Sequence, residues 1–203
     1  MGTRERRERE KTELREKILD AARTLFATEG VEATTMRRIA KAIEYSPTAL
    51  YLYFPDKETL LRELCTRDFT QLADRFLALL EVDDPVARLS AVGKVYAQFA
   101  LEHPNAFRLL FMQPSAIRDD VSEGDPATAA HQFLLSTVQA CIDAKRLKAK
   151  HKDAELVAQT VWAGIHGVVA LHLTVGGCGQ HDWRPIQQRI DAMIALLVDA
   201  IVR

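Results

Sequence analysis

The segment from Thr35 to Lys57 constrains the fold most strongly, because a tight turn separates two short helical patterns within it. The first pattern has apolar residues at helical spacing, at Met36, Ile39, Ala40 and Ile43. Ser46 is a favourable N-cap, and Pro47 is a favourable first helical residue because its missing N–H would be unpaired there anyway. Pro55 ends the second pattern. The sequence therefore predicts two short helices joined by a turn of three or four residues.

An earlier helical pattern supports this pair. From Thr12 onward one face is apolar, at Leu14, Ile18, Ala22, Leu25 and Phe26. Gly30 ends this helix, because glycine tolerates the left-handed conformation that follows many helix ends. Three helices of this kind form a helix-turn-helix, whose second short helix enters the major groove of DNA. Its first residues, from Ser46 to Ala49, would then face the base edges.

The segment also resembles the TetR family of transcriptional regulators, from about Thr12 to Leu64. The residues that carry the resemblance are Phe26, Gly30, Thr35, Ile39, Ala40, Ser46, Leu50, Tyr51, Tyr53, Phe54 and Lys57. By position, the resemblance implies DNA contacts at Thr35, Arg37, Ser46, Pro47, Thr48, Tyr51, Tyr53 and Lys57. It also implies a repressor whose DNA binding a small molecule controls.

Glu44 departs from the family pattern, which has glycine at the turn. A residue other than glycine would cost about 1 kcal/mol in the left-handed conformation. Its carboxylate would also lie near the expected phosphates and could weaken non-specific DNA binding. The formal net charge of −1 gives no independent support for DNA binding, because such domains are often strongly basic.

The rest of the chain is predicted to be helical, so the fold class is all-α. We expect a flexible N-terminal arm at residues 1–11, the helix-turn-helix domain at 12–57, and a larger helical bundle for ligand sensing and dimerisation at 58–203. The last six predicted helices are Asp56 to Leu80, Pro85 to Glu102, Pro104 to Gln113, Pro126 to Lys145, Asp153 to Val175 and Asp182 to Val202, with a polar acidic loop from Ser115 to Asp125.

The eighth helix has no charged residue from Val161 to Val175. A helix that is apolar nearly all round must be covered on nearly all sides, and a second subunit is the natural cover near a chain end. We therefore expect the last two helices to form a homodimer interface at Val168, Leu171, Ile190, Met193, Ile194, Leu197 and Ile201. A twofold dimer would bind a palindromic operator in double-stranded DNA.

The Trp162, His166 and Gly167 motif, with a His-Pro pattern at Pro104, resembles the C-terminal domain of a TetR subgroup named for Trp-His-Gly. The family implies a small-molecule pocket, and the candidate lining is Tyr96, Phe99, Phe107, Phe111, Met112, Phe133, Trp162 and His166. The same aromatic residues are equally what any helical core contains. The sequence shows no buried cluster of Arg or Lys, so an apolar or amphipathic effector is expected.

The chemistry of the chain favours a binding protein over an enzyme. No catalytic residues, metal site or cofactor are expected, because the histidines and cysteines lack ligand spacing and no nucleophile or phosphate motif is present. Two alternatives are a helical enzyme that uses His166 and a dimeric DNA-binding protein without an effector. Without a signal peptide or a confident membrane span, we expect a cytoplasmic protein with reduced thiols. Cys178 has no assigned role.

Overall fold

A computed structural model describes residues 3–112, 125–176 and 182–203. Within these ranges the chain is built from α-helices, and the predicted all-α fold is confirmed. The helices are α1 (Thr3–Glu29), α2 (Met36–Ala42), α3 (Pro47–Tyr51), α4 (Lys57–Leu77), α5 (Pro85–Glu102), α6 (Pro104–Phe111), α7 (Pro126–Asp143), α8 (Ala154–Thr174) and α9 (Ile186–Ile201). A 3-10 turn, Ala78–Glu81, follows α4. The acidic loop predicted from Ser115 lies almost wholly outside the described residues.

The chain divides into two compact units. In the described ranges, the first contains residues 3–68 and 105–112, and the second contains 69–104, 125–176 and 182–203. The first part of α4 belongs to the first unit, where Leu60, Leu61 and Leu64 are buried. This division lies further along the chain than the boundary predicted after Lys57.

Polar N-caps begin both short helices of the helix-turn-helix, and the cap at Ser46 is the one that the sequence predicts. Thr35 Oγ1 accepts a hydrogen bond from the Arg38 amide at 3.2 Å, and Ser46 Oγ accepts one from the Ala49 amide at 3.2 Å. Each bond satisfies a backbone donor that the first helical turn leaves unpaired. Gly30 adopts φ 88° after α1, as the predicted stop requires.

The prediction of a flexible arm at residues 1–11 is corrected for the part that the structure describes. Residues 3–11 form the first turns of α1. Glu, Arg and Lys are good helix formers, and pairs four residues apart add support. Arg6 Nε lies 3.2 Å from Glu10 Oε1 in such a pair. The helical pattern of apolar residues begins only at Leu14, which is why the sequence predicted an arm before it.

Several helix ends differ from the predicted ones, among them the end of α3 and the start of α9. α3 stops at Tyr51 instead of Phe54, and the Tyr53 amide donates to the Leu50 carbonyl at 2.9 Å in a tighter turn. The residue before a proline avoids helical geometry, so Phe54 leaves the helix ahead of Pro55. α9 starts at Ile186, directly after Pro185, and not at Asp182.

The first unit has one apolar core and a row of ion pairs between α1 and α4. Phe26, Leu50 and Phe54 are almost fully buried in the core. Arg23 Nη2 lies 2.9 Å from Asp68 Oδ1, and the Asp68 residue is only 3% exposed. A buried carboxylate without such a partner would be strongly unfavourable. The pair therefore fixes α4 against α1.

The turn between α2 and α3 contains the backbone conformation anticipated for Glu44. Its φ is 61°, in the left-handed region that favours glycine. The Tyr45 amide donates to the Ala40 carbonyl at 2.9 Å, which holds the turn closed. The exposed Glu44 side chain thus sits on a backbone that its Cβ disfavours.

Glu44→Gly should raise the free energy of unfolding by about 1 kcal/mol, because glycine removes the Cβ strain. Urea denaturation followed by circular dichroism would measure this change. Glu44→Ala is the matched control, since it removes the charge but keeps the Cβ. If the alanine variant gains as much stability as the glycine variant, the charge and not the backbone is responsible.

Candidate nucleic-acid interface and buried polar triad

The residues expected to contact DNA surround α3 and lie at or near the surface. Leu50 of α3 is fully buried, whereas the opposite side of the helix faces outward. The exposed members of the predicted set are Thr35, Arg37, Ser46, Thr48 and Tyr51, and the half-buried members are Pro47, Tyr53 and Lys57. All eight belong to the first unit, at the start of α2, along and just after α3, and at the start of α4.

Lys57 has a structural partner that the sequence did not indicate. Its Nζ donates to the Val31 carbonyl at 2.9 Å, which ties the start of α4 to the segment before α2. An ammonium has three donors, so two remain for other acceptors. Lys57 thus both fixes the local backbone and presents positive charge next to α3.

The two arginines of α2 differ in their surroundings. Arg38 donates to the Glu29 carboxylate at 2.6 Å, so its charge is already paired within the chain. Arg37 is exposed and forms no ion pair with any residue in the described ranges. Arg37 is therefore the better placed of the two to neutralise a phosphate.

Two exposed residues beside α3 are missing from the sequence-based set. Tyr45 is 43% exposed and Leu52 is 80% exposed. Leu52 follows Thr48 by four residues and has helical backbone angles, whereas Tyr45 lies in the turn before the extended Ser46 N-cap. The spacing of Leu52 was visible in the sequence, but which face of so short a helix is buried was not.

In the second unit, three of the predicted pocket residues form a polar triad of the buried Tyr96 and the half-buried Trp162 and His166. The Tyr96 hydroxyl lies 2.8 Å from His166 Nδ1, and the Trp162 side chain hydrogen-bonds to Tyr96. The indole N–H is only a donor, so the Tyr96 oxygen accepts from Trp162. The tautomer of His166 sets whether the phenol donates to the imidazole or accepts from it.

The protonation states of the triad follow from burial. Tyr96 is 5% exposed, and burial raises the pKa of its phenol, an effect that the Trp162 hydrogen bond partly opposes. Burial lowers the pKa of His166 below its ordinary value of 6.5. Both groups are therefore neutral at neutral pH, and the triad is a hydrogen-bonding site without formal charge.

The other predicted pocket residues lie elsewhere in the two units. In the second unit Phe99 lies against His103, with ring centroids 5.3 Å apart, and Phe133 stacks on Phe76 at 5.7 Å. Phe107 and Phe111 pair at 5.3 Å and, with Met112, belong to the first unit. Within the second unit, the structure thus brings Tyr96, Trp162 and His166 together, and the pocket as a whole stays a prediction.

A small apolar notch lies between α5, α8 and α9. Its lining includes Leu89, Gly93, Val161, Ile165, Ile194 and Leu197. Its cavity volume is only about 10 Å³. Sites for drug-sized ligands are typically about 300 to 1,000 Å³, and none of the predicted pocket residues lines this notch.

The predicted dimer interface needs correction at three residues. Ile190, Ile194 and Ile201 are 2%, 8% and 7% exposed within a single chain. The apolar stripe of α9 packs inward against its own unit, so these side chains support the surface and do not form it. Leu171 is 49% exposed, whereas Val168, Met193 and Leu197 are half-buried.

Helix α8 also has the length and composition of a membrane-spanning helix. Only 28% of its most apolar window is buried within the chain. Long apolar helices of soluble proteins pass the same test, so this property alone is weak evidence for a membrane. It shows that much of an apolar helix is uncovered in one chain.

Within the described ranges, no group of three or more His, Cys, Asp or Glu side chains is arranged to bind a metal ion. Cys65 and Cys141 are buried thiols, and burial raises the pKa of Cys141 to about 11. A thiol with such a pKa is a poor nucleophile at neutral pH. Cys178 lies outside the described residues.

These elements define a class of protein: an all-helical chain with an N-terminal helix-turn-helix and a larger helical unit. Residues 18–64 match the family described as bacterial regulatory proteins, tetR family, and residues 89–199 match the tetracyclin repressor-like C-terminal domain. The second match covers more than half of the chain, and the chain belongs to the TetR family. Members of this family are DNA-binding regulators that act as dimers with small-molecule effectors, and they are not enzymes. The Trp-His-Gly subgroup stays a prediction.

The chain is similar to curated repressors over part of its length. It is 32% identical over 114 residues to the transcriptional repressor KstR2 of Mycolicibacterium smegmatis, a match covering 55% of this chain and 54% of the relative. It is 38% identical over 63 residues to the repressor AcnR of Corynebacterium glutamicum, covering 31% and 34% of the two chains. The matches thus span about half or less of these relatives.

Solved structures of the same fold match over nearly the whole chain. The fatty acid degradation regulator FadR of Bacillus halodurans superposes with a TM-score of 0.74 at 17% identity, covering 91% of this chain and 94% of FadR. The ketosteroid transcriptional regulator KstR2 of Mycobacterium tuberculosis gives 0.67 at 21% identity, covering 93% and 95%. At these identities the likeness concerns the fold alone.

Thermal stability should decrease on acidification partly through His166. Its folded-state pKa lies below 6.5, so the unfolded chain takes up the proton at a higher pH than the folded chain. This contribution to stability is complete above the unfolded value and is lost as pH falls towards the folded value. We expect the melting temperature of His166→Gln to fall less than that of the unmodified protein between about pH 7 and about pH 5.

The control for this measurement is His172→Gln. Burial and the Arg189 charge lower the pKa of His172 as well, so the parent protein contains both contributions. Each single variant should remove its own share of the pH dependence. Melting curves of His166→Gln that shift with pH as strongly as those of the parent would contradict a role for this imidazole.

Proposed function

We propose that the protein is a homodimeric cytoplasmic repressor that binds a palindromic operator and releases it when an apolar or amphipathic effector binds. The observation that carries the proposal is the outward-facing N-terminal end of α3. Ser46 and Thr48 are exposed there, while Leu50 anchors the helix in the core. A helix held in this way can present its first residues to base edges in a major groove.

The roles of the surrounding residues follow from their chemistry. Thr48 and Ser46 have hydroxyls that suit base edges, and the Pro47 ring adds an apolar surface beside them. Thr35, Arg37, Tyr51, Tyr53 and Lys57 offer hydroxyl groups and cations that suit the phosphate backbone. The Thr35 and Ser46 oxygens accept the capping bonds, so their O–H groups stay available as donors.

The effector site is proposed at the polar triad in the second unit. Tyr96, Trp162 and His166 combine ring surfaces with uncharged hydrogen-bonding atoms, which suits a mainly apolar molecule with one carbonyl or hydroxyl group. Two proteins of similar structure are named as regulators of ketosteroids and of fatty acid degradation, and these names also concern largely apolar molecules. Effector binding changes DNA binding only by favouring one conformation over another.

The dimer interface is proposed on the exposed faces of α8 and α9. Leu171 on α8 and Leu196 on α9 are 49% and 66% exposed. A Cβ added at Gly167 of α8 would meet nothing within 4 Å in its own chain. Glycine inside a helix costs about 1 kcal/mol relative to alanine, and packing within one chain does not require it here. Close approach of a helix from a partner subunit would require glycine at this position.

Selection of random duplexes with the full-length protein tests the proposed function. We expect the recovered sites to be palindromic, with two half-sites about one helical turn apart. Affinity for such a site should fall steeply with salt, since each neutralised phosphate releases counterions. If selection enriches no sequence, and no duplex binds better than random DNA at moderate salt, the repressor assignment is wrong.

Leu171→Glu should convert the dimer into monomers and weaken operator binding, because the carboxylate would be buried against the partner subunit. Sedimentation velocity would measure the oligomeric state. Leu77→Glu is the matched control, since Leu77 is 54% exposed in the second unit but lies on α4. A Leu171→Glu protein that remains dimeric would exclude this face as the interface.

A further inference from the structure

The exposed apolar side chains of the first unit are concentrated at α3. Among its described residues, the large hydrophobic side chains that are exposed are Tyr45, Tyr51 and Leu52, at 43%, 51% and 80%. Leu52 is the most exposed large hydrophobic side chain of the described chain. Exposed apolar surface that clusters in this way marks an interaction site. The other large apolar residues described in the first unit are buried or half-buried.

Two of these side chains share one helix face with the residue expected to contact bases. Thr48, Tyr51 and Leu52 are spaced by three and four residues along helical backbone, so they are neighbours on the helix surface. Tyr45 lies outside the helix, in the turn before the extended Ser46 N-cap, where its backbone is held by the Tyr45–Ala40 hydrogen bond. The opposite face, at Leu50 and Phe54, is buried. The outward face is therefore the one that a groove would meet.

This face contains no charged or carboxamide side chain. From Tyr45 to Phe54 the sequence has no Asp, Glu, Lys, Arg, Asn or Gln. The side chains that form bidentate bonds with guanine or adenine, or accept from cytosine, are thus missing from α3. The remaining means of discrimination in the major groove is apolar contact with the C5-methyl group of thymine, supplemented by single hydroxyl bonds.

We infer that α3 recognises thymine methyl groups in each operator half-site, with Leu52 and Tyr45 as specificity-determining residues beside Thr48. The inference rests on the proposed function and adds the chemical class of base that the helix selects. Leu52 presents an aliphatic surface, and Tyr45 presents a ring at the start of the helix. Arg37 and Lys57 then supply affinity through phosphates and leave the sequence preference to α3.

The test replaces thymine by deoxyuridine in the operator obtained by selection. Deoxyuridine lacks only the C5-methyl group and keeps every hydrogen-bonding atom of thymine. We expect the Kd to rise roughly fourfold for each contacted methyl that is removed. This factor corresponds to the free energy gained by burying one carbon group of that size. Fluorescence anisotropy with the full-length protein at fixed salt would measure both duplexes.

Variants assign the effect to named side chains. Leu52→Ala should bind the thymine operator more weakly and should no longer distinguish thymine from deoxyuridine at the position that Leu52 contacts. Tyr45→Ala should do the same at its own position, whereas Tyr45→Phe should keep the discrimination because the ring is retained. Leu80→Ala is the matched control, because Leu80 is 57% exposed in the second unit, and it should leave the thymine preference unchanged.

The outcomes separate this inference from the proposed function. If the operator is bound specifically but deoxyuridine and thymine duplexes bind equally, the methyl recognition is wrong and the repressor assignment stands. Half-sites without thymine would lead to the same conclusion. If no duplex is selected at all, both proposals are wrong. Leu52 is 80% exposed, so an unchanged melting temperature of Leu52→Ala would show that folding is not the cause of any loss.

Discussion

The burial of Leu50 and Phe54 is the interaction on which the proposed DNA-binding surface depends. α3 has only five residues, and a helix so short has little stability of its own in water. Leu50 and Phe54 are 0% and 1% exposed, so the core of the first unit holds the helix in place from beneath. Everything that α3 presents outward, including Thr48 and Leu52, is oriented by these two buried side chains.

Hydrogen bonds around α3 complete this support. Ser46 caps its start, and the Lys57 ammonium binds the Val31 carbonyl on the segment that precedes α2. Both groups also belong to the proposed DNA-contact set. The same atoms that fix the backbone are therefore close to where DNA would bind, so removing either side chain would disturb structure and binding together.

Several arginines of the first unit pair with carboxylates of the same unit. Arg15, Arg23 and Arg67 pair with carboxylates between α1 and α4, and Arg38 pairs with Glu29. With a formal net charge of −1, few cations are left near α3 to attract phosphates. We therefore expect specific DNA binding to rely on a small number of well-positioned contacts and on the two DNA-binding units of a dimer. The uncharged surface of α3 agrees with this expectation.

The sequence by itself determined the helices and the family. Caps at Thr35 and Ser46, prolines at first turns and the 3.6-residue spacing of apolar side chains are local signals, and the structure agrees with them. The strained turn at Glu44 was also predictable, because only one backbone conformation fits that position. The spacing of apolar residues did not predict the helix at residues 3–11, because charged residues extend the helix there.

Only the tertiary structure decided which apolar side chains are inside. The apolar stripe of α9 is compatible with either a dimer interface or an internal core. The structure places Ile190, Ile194 and Ile201 in the core. It also shows the hydrogen-bonded contact between Tyr96 and His166, which are 70 residues apart in sequence. Packing also determines that Leu52 and Tyr45 are exposed. Periodicity identifies faces, but packing against distant residues determines which face is buried.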